Sequence, residues 1–160
     1  MQMQKMAEEP VIAVLMKWFD WPPVLTVACV LAVWAISRFT TPSGLALGLW
    51  ALVPLVFGVA AMAAAAVQMA RARTPLNPRT RPQVLVTTGI FRVSRNPIYL
   101  GDALVILAAV LWWDAPLGLL VLGGFLWIAT YHYIAREEGW LLDKFGDRAR
   151  VWFSQTRRWI

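Results

Sequence analysis

Long apolar runs alternate with short polar segments over most of this chain, and the runs are long enough to be membrane-spanning helices. The runs cover about residues 23–39, 45–70, 98–113 and 117–134. A helix of roughly 20 residues crosses a hydrocarbon core of about 30 Å. Only residues 114–116 separate the third run from the fourth, so these two are predicted to form an antiparallel helical hairpin.

The remaining segments predict helices that lie on the membrane rather than across it. Residues 1–19 mix apolar and acidic positions, and Glu8 and Glu9 stand where a signal peptide would be basic, so an interfacial helix is expected. A polar, proline-containing loop at 71–97 connects the second apolar run to the third. The tail, 135–160, alternates charged with aromatic residues, which indicates amphipathic helices broken near Gly146.

Composition supports the same class of protein. Of the 160 residues, 59% are hydrophobic, and the mean hydropathy is +0.58. A soluble domain of this length could not hide so much apolar surface. We therefore expect a single domain over 1–160 in an all-α membrane protein. It has about four transmembrane helices, an N-terminal interfacial helix and C-terminal amphipathic cytoplasmic helices.

The charge distribution predicts the orientation in the membrane. The net charge is +6, and 14 of the 15 Lys and Arg residues fall on one side of a four-span topology. These residues are Lys5, Lys17, Arg71, Arg73, Arg79, Arg81, Arg92, Arg95, Arg136, Lys144, Arg148, Arg150, Arg157 and Arg158. By the positive-inside rule, both termini and the 71–97 loop are cytoplasmic. Nucleic-acid binding is disfavoured because no basic helix or RNP-like pattern occurs. A bacterial inner membrane is the expected location.

Two polar clusters, residues 85–102 and 131–138, are predicted to meet at the cytoplasmic end, because the hairpin places the start of the third span beside the end of the fourth. Arg95 can bind a carboxylate bidentately. Glu137 and Glu138 can accept hydrogen bonds from ribose hydroxyls or from an ammonium. Each feature also has an ordinary interpretation, as a turn before a helix or as a solvated helix face.

Two ionisable residues lie close to or within the apolar runs. Asp102 and His132 are candidates for catalysis together with Arg95, since ionisable groups inside a membrane are functional hypotheses by default. The alternative is that they cap or bridge helices at the interface. No metal site is predicted.

Four strings occur in order along the second half of the chain, LVTTGIFR at 85–92, SRNPIYLG at 94–101, EExxLxxxFG at 137–146 and RRW at 157–159. Together they resemble the signature of the isoprenylcysteine carboxyl methyltransferase and phospholipid methyltransferase superfamily. The segment TPLNP at 74–78 is similar to the second-loop pattern of that family. The resemblance covers about residues 74–160.

This resemblance implies an S-adenosylmethionine cofactor, converted to S-adenosylhomocysteine, at the cytosolic end of the last hairpin. The residues it places in the cofactor pocket are Gly89, Arg95, Asn96, Pro97, Tyr99, Gly101, Glu137 and Glu138. It also implies that a lipophilic acceptor enters sideways from the bilayer. The acceptor group stays open: Arg95 could orient a carboxylate, a thiol needs no strong base, and Asp102 or His132 could take a proton from an amine.

Two other functions remain as alternatives. The string from Arg95 to Asp102 is similar to a motif of the sterol reductases, which use NADPH, although the N-terminal spans of those enzymes are missing. A non-catalytic scaffold with tryptophan-rich helices is the other alternative. Besides its lipophilic substrate the chain is expected to contact membrane lipids, and an alanine-rich face at 60–66 leaves room for an oligomer without indicating one.

Overall fold

The computed structural model describes residues 21–45, 47–75, 80 and 82–160, and their regular secondary structure is entirely helical. The α-helices are α1 (Pro22–Phe39), α2 (Leu52–Arg71), α3 (Pro97–Trp112), α4 (Gly118–Ile128), α5 (Ala135–Phe145) and α6 (Asp147–Gln155). A 3-10 turn, Leu47–Ala51, precedes α2, and a second, Gly89–Arg92, lies before α3. The interfacial helix predicted for residues 1–19 lies outside the described residues.

Three helical stretches are long and apolar enough to cross a membrane, namely Pro22–Phe39, Leu47–Arg71 and Gly118–Phe145. These and α3 confirm the expected all-α membrane class. The third predicted span, α3, has only 16 residues and rises about 24 Å. Nine of its 16 residues are buried, against five of 18 in α1. Helix α3 is apolar on nearly every face, and α1, α2 and α4 pack on it, so it lies at the centre of the bundle.

The core is built mainly where α3 meets α1 and α4. Val33, Ile106 and Ala129 are completely buried, and Phe125 is 1% exposed. On its other side α3 crosses α2 at two glycines. A Cβ atom on Gly101 would lie 2.7 Å from the carbonyl oxygen of Gly58, so the two backbones touch.

The fourth span continues past its predicted end at residue 134. A π-helical turn, Ala129–Ile134, joins α4 to α5, so one continuous helix runs from Gly118 to Phe145. Tyr133 and Ile134 are both buried, at 2% and 0% exposure, whereas Tyr131 and His132 are exposed. The wider π-helical turn changes the phase of the helix and thereby sets the direction in which the residues of α5 point. The predicted break in the tail is present at Gly146, whose φ is 52°.

The end of the bundle where α1 ends is held by one carboxylate. Asp114, in the turn between α3 and α4, accepts a hydrogen bond from the Ser43 hydroxyl and a second, of 3.0 Å, from the backbone N–H of Gly44. The hydrogen bond from Ser43 is the main reason that the pKa of the Asp114 carboxyl lies below its usual range. This carboxylate links the α1–α2 connection to the hairpin turn.

We expect Asp114→Asn to lower the thermal midpoint of the purified protein slightly, by about 1–2 °C at pH 7. Asparagine tolerates the positive φ of 46° at this position but keeps only one acceptor oxygen. Because the folded pKa of Asp114 is depressed, its contribution is complete above the unfolded value of about 3.9 and is lost as the pH falls through the folded value. The difference between wild type and variant should therefore shrink steadily in melts at pH values below about 4. A difference that does not shrink there would contradict this role.

Candidate functional site

A cavity of about 880 Å³ lies at the opposite end of the bundle, where α1 begins, α2 ends and α3 begins. Its polar lining residues are Thr74, Thr80, Arg95, Asn96, Tyr99, Glu137 and Glu138. Its apolar lining residues include Trp21, Pro22, Pro23, Met62, Ala66, Met69, Phe91, Trp140, Leu141, Trp152 and Phe153. The two predicted polar clusters thus contribute to one cavity.

Tyr99 and Glu137 form the first polar contact of the cavity. The Tyr99 hydroxyl donates a 2.6 Å hydrogen bond to Oε1 of Glu137. Tyr99 is only 5% exposed, and its ring stacks on that of Tyr133 with centroids 5.9 Å apart and an interplanar angle of 14°. The π-helical turn supplies Tyr133, so the orientation of Glu137 depends on both α3 and this turn.

Glu138 forms the second polar contact, between two arginines. Its Oε1 lies 3.3 Å from Nη2 of Arg95 and accepts a 3.1 Å hydrogen bond from Nε of Arg158. Its Oε2 accepts a second hydrogen bond, of 2.5 Å, from Nη2 of Arg158. The two adjacent glutamates therefore have different surroundings: Glu138 is neutralised by cations, and Glu137 is held by a hydroxyl.

Arg95 is set into the cavity wall. Its guanidinium carbon lies 4.4 Å from the centre of the Phe153 ring, a cation–π contact. Burial lowers the pKa of Arg95, and the negative charge of Glu138 opposes that change. An arginine nevertheless stays charged in proteins. Its Nε is buried and has no hydrogen-bond partner in the described part of the chain. The side chain as a whole is 13% exposed and lines the cavity, where its guanidinium can face an anion.

The segment before α3 is fixed by the C-terminal residues. Pro97 occupies the first turn of α3, where its missing N–H costs nothing. The Asn96 side-chain amide donates a 2.9 Å hydrogen bond to the carbonyl oxygen of Arg158, and the Arg95 N–H donates one of 3.1 Å to that of Arg157. Nearby, Nε1 of Trp152 donates to the Phe91 carbonyl at 3.1 Å.

The apolar part of the cavity follows α2 towards the middle of the bundle. Met62, Ala66 and Met69 are spaced four and three residues apart, so they share one face of the helix. The N-terminal end of α1 lies on the other side of the cavity. Helices α1 and α2 both pack on α3 but scarcely touch each other within the described residues. The cavity is therefore bounded by two helices that leave a gap between them.

Six of the predicted site residues line this cavity, and four do not. Gly89, with a φ of 58°, lies against the Gln68 side chain, and Gly101 lies at the crossing with α2. Asp102 is 5% exposed and lies beside Thr26 of α1, within the bundle. His132 is exposed on the outer surface beside Trp127. Catalytic roles for Asp102 and His132 stay predictions.

Reasoning from the sequence did not place Arg158, Trp152 or Phe153 at the site; it gave Trp152 only a role as an interfacial anchor. These residues lie more than 10 positions after Glu138 in the sequence, and no local spacing predicts that they pack at the site. The terminal RRW string at 157–159 was a signal for Arg158 alone. Phe153 lines the cavity under Arg95, while Arg158 contacts Glu138 from behind the cavity wall.

Comparisons with known proteins agree with this arrangement. The family model for phospholipid methyltransferase matches residues 46–148, which include α2 to α5 and both glutamates. An uncharacterized protein of Haemophilus influenzae is 38% identical over 63 residues, which are 39% of this chain and the full length of that relative. No solved structure matches the chain. The family match covers well over half of the residues, and the chain belongs to the phospholipid methyltransferase family, in the superfamily that also holds the isoprenylcysteine carboxyl methyltransferases.

Proposed function

We propose that this integral membrane protein transfers a methyl group from S-adenosylmethionine to a lipophilic acceptor. The observation that carries the proposal is a single cavity with a charged wall at one side and an apolar wall at the other. Its volume of about 880 Å³ lies in the range of ligand-binding pockets. One side suits a charged cofactor, and the other suits a hydrocarbon chain.

The charged wall offers partners for the methionine part of the cofactor. Glu137 can accept hydrogen bonds from an ammonium or from ribose hydroxyls, and its negative charge favours a nearby sulfonium. Arg95 lines the cavity and can bind a carboxylate there. Asn96 and Pro97, also in this wall, fix the backbone that carries Arg95.

When bound, S-adenosylmethionine supplies an activated methyl group, and its sulfonium leaves as the neutral thioether of S-adenosylhomocysteine. The protein has to align the acceptor with that methyl and to exclude water. Tyr99, which is buried, would help to exclude water. The aromatic residues Trp140, Trp152 and Phe153 around the cavity would do the same.

We propose the gap between α1 and α2 as the entry for the acceptor. A lipid chain in the gap would contact Met62, Ala66 and Met69, which cover about 10 Å along the helix axis. The acceptor group, a carboxylate, thiol or amine, would then lie at the charged wall. The concentration of arginine and lysine at this end of the bundle favours a cytoplasmic site, and an inner membrane of a bacterium is the proposed location.

The test is isothermal titration calorimetry on the full-length protein in nanodiscs. We expect S-adenosylmethionine and S-adenosylhomocysteine each to bind at one site per chain with a dissociation constant of about 1–100 μM, and NADPH not to bind. Binding of NADPH alone would support a reductase instead. Binding of none of the three would leave the protein a scaffold and would refute the proposed activity.

A further inference from the structure

The last residues of the chain return to the cavity after α6 ends at Gln155. We call residues 156–160 the C-terminal strap. Thr156 is buried, and Trp159 packs against the core formed by α1, α3 and α4. Between these two anchors, the carbonyl oxygen of Arg158 accepts hydrogen bonds from the Asn96 amide at 2.9 Å and the Ser94 hydroxyl at 3.4 Å. The strap therefore holds Arg158 at a defined place.

The Arg158 side chain makes a two-pronged ion pair with Glu138. Nε and Nη2 of Arg158 each donate to a different carboxylate oxygen, at 3.1 and 2.5 Å. This planar arrangement fixes the rotation of the carboxylate as well as its position. The hydrogen bond to Glu138 raises the pKa of Arg158 above its ordinary value. Arg158 is 37% exposed, whereas the Glu138 side chain is 13% exposed and lines the cavity. Arg158 thus acts on Glu138 from outside the cavity.

Because Arg158 fixes the Glu138 carboxylate, Glu138 in turn restricts the position of Arg95. Its Oε1 contacts Arg158 and, at 3.3 Å, Nη2 of Arg95. The face of the Arg95 guanidinium rests on Phe153, so its position is limited by one aromatic and one carboxylate. Two guanidinium groups surround one carboxylate, which leaves this part of the wall positive and suited to an anion.

We propose that Arg158 is a positioning residue for the ligand: it fixes Glu138, which holds Arg95 in the orientation that binds the carboxylate of the cofactor. The two adjacent glutamates then have separate tasks. Glu137 contacts the cationic or hydroxyl groups of the ligand, and Glu138 orients the arginine that binds its anion. This inference rests on the proposed function, because the ligand it invokes is S-adenosylmethionine.

Two other roles for Arg158 make different predictions. If the ion pair only stabilised the fold, its loss would lower the thermal midpoint and leave ligand affinity unchanged. If Arg158 occupied a place that the ligand needs, its removal would free Glu138 and tighten binding. A positioning role predicts that the loss of Arg158 weakens ligand binding, and that this effect requires Glu138.

The experiment compares Arg158→Gln with Arg150→Gln in calorimetric titrations with S-adenosylhomocysteine. Arg150 is a matched control, because it is an exposed arginine on α6 whose partner is Asp147. We expect Arg158→Gln to weaken binding about tenfold, equal to ~1.4 kcal/mol, and Arg150→Gln to leave binding unchanged. Arg158→Lys should recover part of the affinity, since lysine keeps the charge but not the two-pronged geometry.

A double-mutant cycle tests the route through Glu138. In a Glu138→Gln background, the change Arg158→Gln should weaken binding no further. Equal losses in both backgrounds would overturn the inference, as would unchanged or tighter binding by Arg158→Gln in a protein whose wild type binds S-adenosylhomocysteine. Thermal melts of every variant show whether the fold is kept. No binding by the wild type would refute the proposed function and, with it, this inference.

Discussion

Glu137→Gln weakens S-adenosylmethionine binding roughly 30-fold or more, which corresponds to about 2 kcal/mol. Glutamine preserves the shape of the side chain and can still accept the hydrogen bond from Tyr99. It lacks the negative charge that the sulfonium and the ammonium of the cofactor would contact. Because Glu137 is only partly exposed, its charge is screened less than it would be at the surface. Calorimetry in nanodiscs measures the change directly.

The matched control for this prediction is Asp143→Asn, which removes an exposed carboxylate from the same helix, α5. We expect that variant to bind like the wild type. Glu138→Gln should also bind more weakly, because Arg95 loses the group that orients it. The alanine variants of Glu137 and Glu138 should each abolish binding. Unchanged affinity in both alanine variants would refute the pocket.

Most helix boundaries could be predicted because each one depends on residues close together in the sequence. Pro97 begins α3, and the apolar run after it ends one residue beyond the helix, at Trp113. The break at Gly146 was equally local, since the tail changes direction at a positive φ that glycine adopts readily. The predicted run at 98–113 already has the 16 residues of α3, but its length alone does not show that the other helices surround it.

The site could be predicted only in part, for a physical reason. Antiparallel packing in a hairpin is enough to bring Tyr99 near Glu137, and the sequence pattern implied that juxtaposition. The π-helical turn has no comparable signal, yet it decides that Tyr133 faces inward and His132 outward. The contact between Arg158 and Glu138 depends on how α6 and the strap fold back, which involves long-range packing.

Gly101 shows another way in which a sequence motif falls short of predicting the site. A motif comparison assigned Gly101 to the cofactor pocket, but the motif cannot distinguish a residue that contacts a ligand from one that lets two helices touch. In the structure the space beside Gly101 is filled by Gly58 and Met62 of α2. Met62 also lines the cavity, so the crossing of α2 and α3 lies directly beside the apolar part of the cavity.

Gly101→Ala should destabilise the protein by about 1–3 kcal/mol, the usual cost of overfilling a packed interior. The new Cβ would lie 2.7 Å from the carbonyl oxygen of Gly58 and would overlap the Met62 side chain. Met62 can change rotamer, but the carbonyl belongs to the backbone of α2, so α2 and α3 must separate. Thermal unfolding in detergent, followed by the loss of helical circular dichroism, measures the effect.

Gly123→Ala is the control, because a Cβ at that position of α4 meets nothing within 4 Å. It should melt at or slightly above the wild-type temperature, since alanine favours helix over glycine. Combining Gly101→Ala with Met62→Ala should restore only part of the loss, because the overlap with the Gly58 carbonyl remains. If instead Gly101→Ala melted like the wild type but bound S-adenosylhomocysteine more weakly, Gly101 would be a pocket residue and the helix crossing would not need it.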